Sequence, residues 1–362
     1  MRILFVTTSK DILGGGELVS NRNYNSLLTI AGEKNVIKYS IKRNQQDSIF
    51  FKLKTLFNEV INLNFNGLNK SQKRVIIGII IKNQIDCIFF DTSSLGFFAY
   101  QLKKKFPLIE VITYFHNVEL SLAKDALKVN KNIFLFHRII ISYLSEKLIC
   151  KYSDKIIVIC ERDAQLILRY YKRKHDEIIP VSIKDRYTPI PKKIINKNCA
   201  QKTAIFVGSY FFPNIEAIKW LINNIIPFVN IRLLLVGSNL DKLNYLVKDL
   251  SNIEIYSNVE NIGYYYEQAH FALFPIFSGS GMKVKTAEAL MYGKYIMGTK
   301  ETFVGYDYNP KIGYCGSTKK DFIDHINHFN PKSFFNQYSR DLYLKKYSDN
   351  AVNELFKKLL ER

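Results

Sequence analysis

The sequence Phe277-Ser-Gly-Ser-Gly-Met-Lys-Val-Lys-Thr-Ala-Glu-Ala-Leu-Met-Tyr-Gly293 decides the predicted fold. It follows an apolar run at residues 271–276, which predicts a buried strand, and it passes into residues with helical spacing. A strand, a glycine-rich loop and a helix in this order are typical of an α/β domain. The helix N-terminus offers free N–H groups and the positive end of the helix dipole, which favour an anion.

Three charged residues sharpen this interpretation of the loop. Lys283 and Lys285 add two cations at the start of the helix, and Glu288 lies about one turn further on. A carboxylate can accept hydrogen bonds from hydroxyl groups. The stretch therefore predicts a pocket for a phosphorylated, hydroxyl-rich ligand, although an ordinary strand-to-helix turn with two solvated lysines would have the same sequence pattern.

A second strand, glycine-rich loop and helix open the chain. Residues 3–7 are a short apolar strand, residues 9–17 contain Gly14-Gly15-Gly16, and a helical segment follows. The loop has neither the spacing of a dinucleotide fingerprint nor that of a P-loop. A later strand at residues 110–115 ends in His116. Because ligands bind beyond the carboxyl ends of parallel strands, His116 is predicted as a site residue level with the glycines, the alternative being a structural histidine.

The length of 362 residues exceeds one typical core and predicts two domains. A proline-containing, aperiodic stretch around residues 179–201 is the best linker. The predicted organisation is a first domain at 1–185, a linker at 186–202, a second domain at 203–335 and a C-terminal helix at 336–362.

The composition limits the partners and the compartment. A net charge of +20 suggests nucleic acid, an acidic membrane or a phosphorylated substrate, unless it reflects a lysine-rich composition throughout. Five scattered cysteines without a C-x-x-C pair predict neither a zinc site nor disulfides and fit a reducing cytosol. No signal peptide or transmembrane segment is predicted, so any membrane contact would be peripheral. The segment 131–152 could make such contact or be an ordinary helix.

Several short motifs occur in the order typical of one family. They are Phe206-Val-Gly-Ser209, Pro213-Asn214, Leu235-Val-Gly237, Val259 with Tyr264-Tyr265-Tyr266, and Gly279-Ser-Gly-Met-Lys-Val-Lys-Thr-Ala-Glu-Ala-Leu290. Together they resemble the second domain of a GT-B glycosyltransferase, within the family-four group that uses sugar nucleotides. The first domain resembles it more loosely. The resemblance implies an α/β protein with two Rossmann-like domains facing each other across a cleft. It also implies that the C-terminal helix at 336–362 returns to the first domain.

The resemblance also implies residue roles. Glu288 matches a glutamate that binds the ribose, and Lys283 and Lys285 lie where cations would neutralise the diphosphate leaving group. His116 matches a first-domain histidine that contacts the donor sugar, so His116, Lys283 and Lys285 are the predicted catalytic residues. The predicted donor-binding residues are Gly15, Gly16, Gly208, Ser209, Val259, Gly279, Ser280, Gly281, Met282 and Glu288.

One position departs from the common family pattern. Ser280 stands where many members have a glutamate that touches the transferred sugar, as in a subgroup with a Gly-Ser-Gly-Thr-Arg-Leu-Lys-like sequence. The departure leaves the identity of the sugar open.

The resulting prediction is a glycosyltransferase that moves a hexose from a UDP- or GDP-linked sugar to a lipid-linked or oligosaccharide acceptor. The family implies a retaining, metal-independent reaction without a further cofactor. The setting would be bacterial surface or capsular polysaccharide synthesis, in the cytoplasm or at the inner face of the membrane.

Two alternatives remain at this stage. A GT-B sugar-nucleotide epimerase would need carboxylates near the sugar, which Ser280 disfavours. A basic nucleic-acid-binding protein would fit the charge, but no nucleic-acid-binding motif is present, so nucleic acid is not a predicted partner.

Overall fold

The computed structural model describes residues 1–8, 15–42, 59, 61, 67–130, 136–189, 201–279, 281–330 and 333–361. Gly14, Ser280 and most of the predicted linker lie outside the described residues. The chain forms two compact units. The first comprises Met1–Pro180 with Val352–Arg362, and the second comprises Val181–Ala351.

The first unit is built on a six-stranded, wholly parallel sheet in the order β2-β1-β3-β4-β5-β6. Its strands are β1 (Ile3–Thr8), β2 (Val36–Ile41), β3 (Cys87–Phe90), β4 (Glu110–Phe115), β5 (Lys155–Val158) and β6 (Glu177–Ile178). The central strands are apolar and buried because helices cover both faces of such a sheet.

The helices of the first unit follow the strands in alternation. They are α1 (Gly15–Ala31), α2 (Lys70–Asn83), α3 (Gly96–Lys105), α4 (Glu119–Asn130), α5 (Phe136–Tyr152) and α6 (Glu161–Tyr171). A capping box fixes the start of α2, since the Asn69 side chain accepts from the Gln72 N–H and the Gln72 side chain accepts from the Asn69 N–H. The chain end also packs here, with Phe356 beside Phe89 and Lys155 Nζ donating to the Leu359 carbonyl at 3.0 Å.

The second unit contains another six-stranded parallel sheet, in the order β12-β11-β10-β7-β8-β9. Its strands are β7 (Lys202–Val207), β8 (Ile231–Gly237), β9 (Ile253–Ser257), β10 (Phe271–Phe274), β11 (Tyr295–Gly298) and β12 (Gly313–Cys315). The helices are α7 (Phe212–Asn224), α8 (Asn244–Val247), α9 (Gly263–Gln268), α10 (Val284–Met291), α11 (Lys319–His328), α12 (Gln337–Leu342) and α13 (Asp349–Glu361), the last of which runs into the first unit.

Both units therefore have the Rossmann-like architecture that was predicted. Some details differ from the sequence-based expectation. α1 begins at Gly15, so Gly15 and Gly16 lie in its first turn and not in a preceding loop. Residues 181–185 group with the second unit, and within 336–362 only Val352 onward groups with the first. α4 and β12 were not predicted from the sequence.

Candidate functional site

Each sheet has one point at which the strand order reverses. In the first unit this point lies between β1 and β3, and in the second between β7 and β10. Ligands of doubly wound sheets bind beyond the carboxyl ends of the strands at such points. A ligand site is therefore expected in each unit among the residues that follow these strands.

In the first unit, Asp91 follows β3 and is the centre of a hydrogen-bond network. Its Oδ1 accepts from Asn23 Nδ2 at 2.7 Å and lies 2.9 Å from His116 Nε2. Its Oδ2 accepts from Thr7 Oγ1 at 3.0 Å and from Ser20 Oγ. The Asp91 side chain is buried, whereas the imidazole of His116 keeps a fifth of its surface exposed. The predicted site residue His116 is thus held by an aspartate that the sequence did not single out.

The ionisation of Asp91 determines how His116 is oriented. Burial by itself would raise the pKa of Asp91, but the nearby His116 and hydrogen bonds from His116, Ser20 and Asn23 hold that pKa below its ordinary value. A carboxylate only accepts hydrogen bonds, so His116 Nε2 must donate to it. In the neutral form of the imidazole the proton would reside on Nε2, which would leave Nδ1 as an acceptor for a ligand hydroxyl.

A cavity of about 400 Å³ opens beside this network. His116, Asp91 and Gly16 all line it, so the structure brings Gly16 and His116 together as predicted from sequence. Hydroxyl-bearing side chains make up much of its wall: Thr7, Thr8, Ser20, Ser40, Thr92, Ser93, Ser94 and Ser142. Such a lining can exchange hydrogen bonds with a polyhydroxylated ligand.

Glu146 supports one wall of the cavity from inside α5. Its Oε1 accepts from Ser93 Oγ at 3.0 Å and from the Glu119 N–H at 2.7 Å. Its Oε2 accepts from the Leu120 N–H at 3.1 Å and from the Tyr171 hydroxyl at 2.6 Å. The carboxyl group therefore caps α4, and burial raises its pKa to about 7 despite these donors.

In the second unit, close backbone packing shapes the loop after β7. A Cβ atom on Gly208 would lie 2.7 Å from the Asn214 amide, and one on Gly237 would lie 1.9 Å from the Gly208 carbonyl oxygen. The Asn214 Nδ2 donates to the Ser209 carbonyl at 2.8 Å, and its Oδ1 accepts from Lys285 Nζ at 2.6 Å. The predicted residues Gly208, Ser209 and Lys285 are thus brought together around Asn214.

Lys285 lies in the first turn of α10 in an apolar setting. Its Nζ stands 4.3 Å from the ring centroid of Phe206 and 5.5 Å from that of Phe274. Burial lowers the pKa of Lys285 to about 7, against the opposing effect of Glu288. A bound anion would raise this pKa, so the Lys285 amine would become fully protonated.

Glu288 lies one turn further along α10, and its pKa is shifted in the opposite direction. Burial raises its pKa to about 7, although Lys285 and Arg186 act to lower it. Within the described part of the chain, no protein group donates a hydrogen bond to its carboxyl oxygens. A ligand hydroxyl that reached this carboxyl group could donate a hydrogen bond to it.

Lys283 has a different environment from Lys285. Its Nζ pairs with Glu301 Oε1 at 2.6 Å and donates to the Gly281 carbonyl at 3.0 Å. Gly279 and Gly281 have φ angles of +116° and +65°, which favour glycine. These contacts fold the loop around Lys283, and its assignment as a catalytic cation stays a prediction.

Two predicted donor-binding residues have less distinctive positions. Val259 is half-buried in the loop between β9 and α9. Met282 is buried, and its sulfur accepts from the Val181 N–H at 3.5 Å. Their contact with a donor stays a prediction. In the described residues no three His, Cys, Asp or Glu side chains are grouped so as to hold a metal ion.

Comparison with known proteins agrees with these features. Residues 201–308 match the family model described as "Glycosyl transferases group 1". Comparison of the sequence with curated proteins gives no significant match. In fold, the whole chain is similar to all of Alr3699/HepE of Anabaena, solved with UDP, at a TM-score of 0.72 and 12% identity.

Two further solved structures have the same fold. The lipopolysaccharide outer core galactosyltransferase WaaB has a TM-score of 0.65 and 14% identity, with 99% of each chain covered. WaaG, a glycosyltransferase of lipopolysaccharide biosynthesis, has a TM-score of 0.61 and 13% identity, again with 99% of each chain covered. The predicted resemblance to GT-B glycosyltransferases is confirmed, by fold over the chain and by family model over residues 201–308.

Among the helices formed by the described residues, none combines the length and the apolar character needed to span a bilayer.

Proposed function

We propose that the protein transfers a hexose from a UDP- or GDP-linked sugar to a lipid-linked or oligosaccharide acceptor. The match of residues 201–308 to a glycosyltransferase family model supports the reaction class. The UDP and UDP-glucose complexes of HepE support a uridine nucleotide as the first donor to test. The lipopolysaccharide relatives support a role in cell-surface polysaccharide assembly.

The observation that carries the proposal is the pair formed by Lys285 and Glu288. Burial drives both groups toward their neutral forms in the unliganded protein. A diphosphate beside Lys285 would stabilise the ammonium form, and ribose hydroxyls would donate to the carboxylate form of Glu288. Because negative charge grows on the departing diphosphate, a fixed cation there lowers the barrier for sugar transfer.

The first unit would supply the group that contacts the transferred sugar. His116 lines the hydroxyl-lined cavity and its Nε2 is engaged by Asp91, so Nδ1 of the neutral imidazole would be the ring nitrogen left for a ligand. A sugar hydroxyl that donates to Nδ1 would be fixed in orientation. Correct orientation of the reactants lowers the activation barrier of a bimolecular reaction by several kcal/mol. Retention of configuration, independence of metal ions and attachment to an anionic membrane face are parts of the same proposal.

Nucleotide binding is the first test. Thermal unfolding is measured with UDP, GDP, ADP and dTDP and with their sugar conjugates, since a ligand at 100 times its Kd adds about 2.7 kcal/mol of stability. Sugar release and transfer are then followed with the stabilising donor. Stabilisation by none of these ligands would refute the proposal, and epimerised free donor would point to an epimerase.

A thermodynamic cycle tests the ribose contact. UDP and 2′-deoxy-UDP are compared in the parent protein and in Glu288→Ala. We expect the parent protein to prefer UDP by about tenfold and the variant to lose this preference, as for one hydrogen bond to a charged group. Asp249→Ala, an exposed change just before the edge strand β9, is the control. An undiminished preference in Glu288→Ala would remove the ribose assignment.

A further inference from the structure

The first turn of α10 is tied by two side-chain hydroxyl groups to another segment of the second unit. This segment, residues 299–306, follows β11, and we call it the supporting turn. The Thr286 hydroxyl donates to the Thr302 carbonyl at 2.8 Å. The Tyr306 hydroxyl donates to the Lys283 carbonyl, also at 2.8 Å. Since α10 begins directly after Lys283, both bonds hold the start of the helix.

The bond from Tyr306 is additional to the hydrogen bonds that the helix itself requires. The Lys283 carbonyl already accepts from the Thr286 N–H at 2.9 Å, as expected of the residue that precedes a helix. A carbonyl oxygen has two lone pairs, so it can also accept from the Tyr306 hydroxyl. Tyr306 and Thr286 are both buried. The bond from Tyr306 therefore fixes where α10 starts rather than whether α10 forms.

The supporting turn is itself fastened to the sheet. The Thr302 hydroxyl donates to the Phe274 carbonyl at the end of β10, and the Thr299 hydroxyl donates to the Ile276 carbonyl just beyond it. Thr302 Oγ1 also accepts from the Thr299 N–H at 3.2 Å. All four residues are buried. The supporting turn is therefore a fixed base that positions α10 relative to β10.

Tyr306 packs against a second buried tyrosine whose hydroxyl group has different partners. The ring centroids of Tyr306 and Tyr347 are 4.8 Å apart. The Tyr347 hydroxyl accepts from the Asp307 N–H at 2.8 Å and donates to the Gly305 carbonyl at 3.4 Å. It thus bonds to the backbone at the end of the supporting turn, whereas the Tyr306 hydroxyl bonds to the start of α10. The two tyrosines therefore form a matched pair for experiments.

We propose that the hydroxyl groups of Tyr306 and Thr286 position α10 for sugar transfer. The inference rests on the proposed function, in which Lys285 stabilises the departing diphosphate. Lys285 directly precedes Thr286, so a shift of the first turn would move the cation with it. Neither hydroxyl group is assigned a contact with the donor, so Tyr306 and Thr286 are positioning residues.

The position of α10 should matter more for turnover than for binding of the nucleotide. Negative charge grows on the diphosphate as its bond to the sugar breaks, so its interaction with Lys285 is strongest in the transition state. A misplacement of about 1 Å can lower a rate by about 100-fold. A bound nucleotide can follow a small shift of the helix, which leaves its affinity nearly unchanged. A ligand thus sets the charge on Lys285, whereas the supporting turn sets its position.

The first test compares Tyr306→Phe with Tyr347→Phe. Each change keeps the ring and removes one hydroxyl group, but only the first removes the bond to the Lys283 carbonyl. Turnover is measured as sugar release to water from UDP-glucose, or from the nucleotide sugar that stabilises the parent protein most. We expect Tyr306→Phe to lower kcat about tenfold and to change the donor KM and the Kd of UDP by less than about twofold. Tyr347→Phe should lower the Tm to a similar extent but leave kcat unchanged.

A second pair of variants separates the hydroxyl group of Thr286 from its size. Thr286→Val retains the shape of the side chain and removes the donor to the Thr302 carbonyl, so kcat should fall about fivefold. Thr286→Ser keeps the donor and loses a buried methyl group, so it should retain kcat despite a lower Tm. Turnover would then follow the hydroxyl group and not the stability of the protein.

Hydrogen exchange of α10 provides a measurement without any ligand. The amides of α10 should exchange about tenfold faster in Tyr306→Phe and Thr286→Val than in the parent protein, because the start of the helix would open more often. In Tyr347→Phe and Thr286→Ser they should exchange as in the parent protein. Unchanged exchange in Tyr306→Phe and Thr286→Val would overturn the anchoring of α10.

The outcomes distinguish this inference from the proposed function. An active parent protein with unchanged kcat in Tyr306→Phe and Thr286→Val would overturn the inference alone. Equal losses of kcat in the two tyrosine variants, or a Thr286→Ser variant as slow as Thr286→Val, would show a general structural effect and would also overturn it. A parent protein that neither binds a nucleotide nor turns over a nucleotide sugar would refute the proposed function, and with it the role of these hydroxyl groups in transfer.

Discussion

The two candidate sites occupy the same place in their sheets, but their surroundings have opposite effects on the ionisation of the charged groups. In the first unit, Asp91 is buried and kept ionised by donors from the protein itself. In the second unit, burial pushes both Lys285 and Glu288 toward neutrality. The Asp91 carboxylate has its hydrogen-bond donors without a ligand, whereas Lys285 and Glu288 would gain their charge partners from a ligand.

This difference matches what each site is proposed to do. A group that orients a reacting sugar must already have the right geometry, because time spent in wrong orientations lowers the rate. A group that binds a diphosphate gains affinity when the ligand stabilises a charge that burial disfavours in the free protein. The following predictions test whether the first site is indeed prearranged and the second completed by its ligand.

The largest effect is expected for Asp91→Asn. The amide NH₂ would face hydrogen-bond donors that now donate to a carboxylate oxygen. His116 would therefore lose the acceptor that fixes its tautomer and ring orientation. We expect kcat for sugar transfer to fall by about 100-fold, as for misplacement of a group that orients the substrate. The Kd of UDP, measured by calorimetry, should change little, because the second unit is predicted to hold the nucleotide.

Asp86→Asn is the matched control for this change. Asp86 lies just before β3, where its Oδ2 accepts from the Arg2 N–H at 2.7 Å, at the opposite end of the strand from Asp91. It should leave kcat unchanged. Equal losses of kcat and of UDP affinity in Asp91→Asn would show a general structural defect and would contradict the positioning role.

The second prediction concerns Lys285→Met, which removes the cation proposed to face the diphosphate. Loss of one charge-assisted hydrogen bond should weaken UDP binding by about 2 kcal/mol, or about 30-fold. Lys283→Met is the informative comparison, because Lys283 already pairs with Glu301. It should lower thermal stability but weaken UDP binding less. The reverse ranking would move the diphosphate from Lys285 to Lys283.

Lys285 also gives the binding a distinctive proton linkage. Its pKa of about 7 in the free protein must rise when an anion binds nearby. At pH 8 much of Lys285 is neutral before binding, so UDP binding should take up protons. Calorimetry in two buffers of different ionisation enthalpy measures this uptake, which should disappear in Lys285→Met. Persistent uptake in the variant would show that another group supplies the linkage.

The sequence predicted the second site better than the first because the two are encoded differently. The loop from Gly279 to Glu288 is one continuous stretch whose chemistry can be seen in its order of residues. The Asp91 network joins residues up to 84 positions apart, such as Thr7 and Asp91. The position of Asp91 after an apolar run was the available signal, but it does not reveal four hydrogen-bond donors.

The same reason explains the helix that was not predicted. The backbone donors at the start of α4 are satisfied by Glu146, which is 27 residues away from Glu119. Local capping signals, like the Asn69–Gln72 box of α2, are visible in a sequence, whereas a cap from another helix is not. The alternation of strands and helices needed no such long-range information and was predicted for both units.

A further prediction, for Glu146→Gln, tests whether Glu146 stabilises the wall of the first site. The amide would leave some of the present donors facing an N–H group, so we expect a loss of about 1–3 kcal/mol in the free energy of unfolding. Burial raises the folded-state pKa of Glu146 to about 7, above its unfolded value. Its contribution is therefore present at low pH and is lost as the pH rises through 7.

The measurement is chemical denaturation of both proteins at pH 5 and pH 8. The difference in unfolding free energy between parent and variant should be larger at pH 5 than at pH 8. A difference that grows toward pH 8 would mean that the ionised carboxylate is the stabilising form, which would contradict the assigned shift.

The smallest effect is expected for Gly281→Ala in the loop of the second site. Its φ of +65° should cost about 1–2 kcal/mol with a side chain present. Gly78→Ala is the control, because a Cβ there meets nothing within 4 Å and alanine favours a helix interior, so it should stabilise the protein slightly. If ligand charge completes this site, Gly281→Ala should weaken UDP binding only a few-fold, far less than Lys285→Met. A loss as large as that of Lys285→Met would mean that the loop is prearranged as strictly as the Asp91 network, and the contrast between the two sites would then fail.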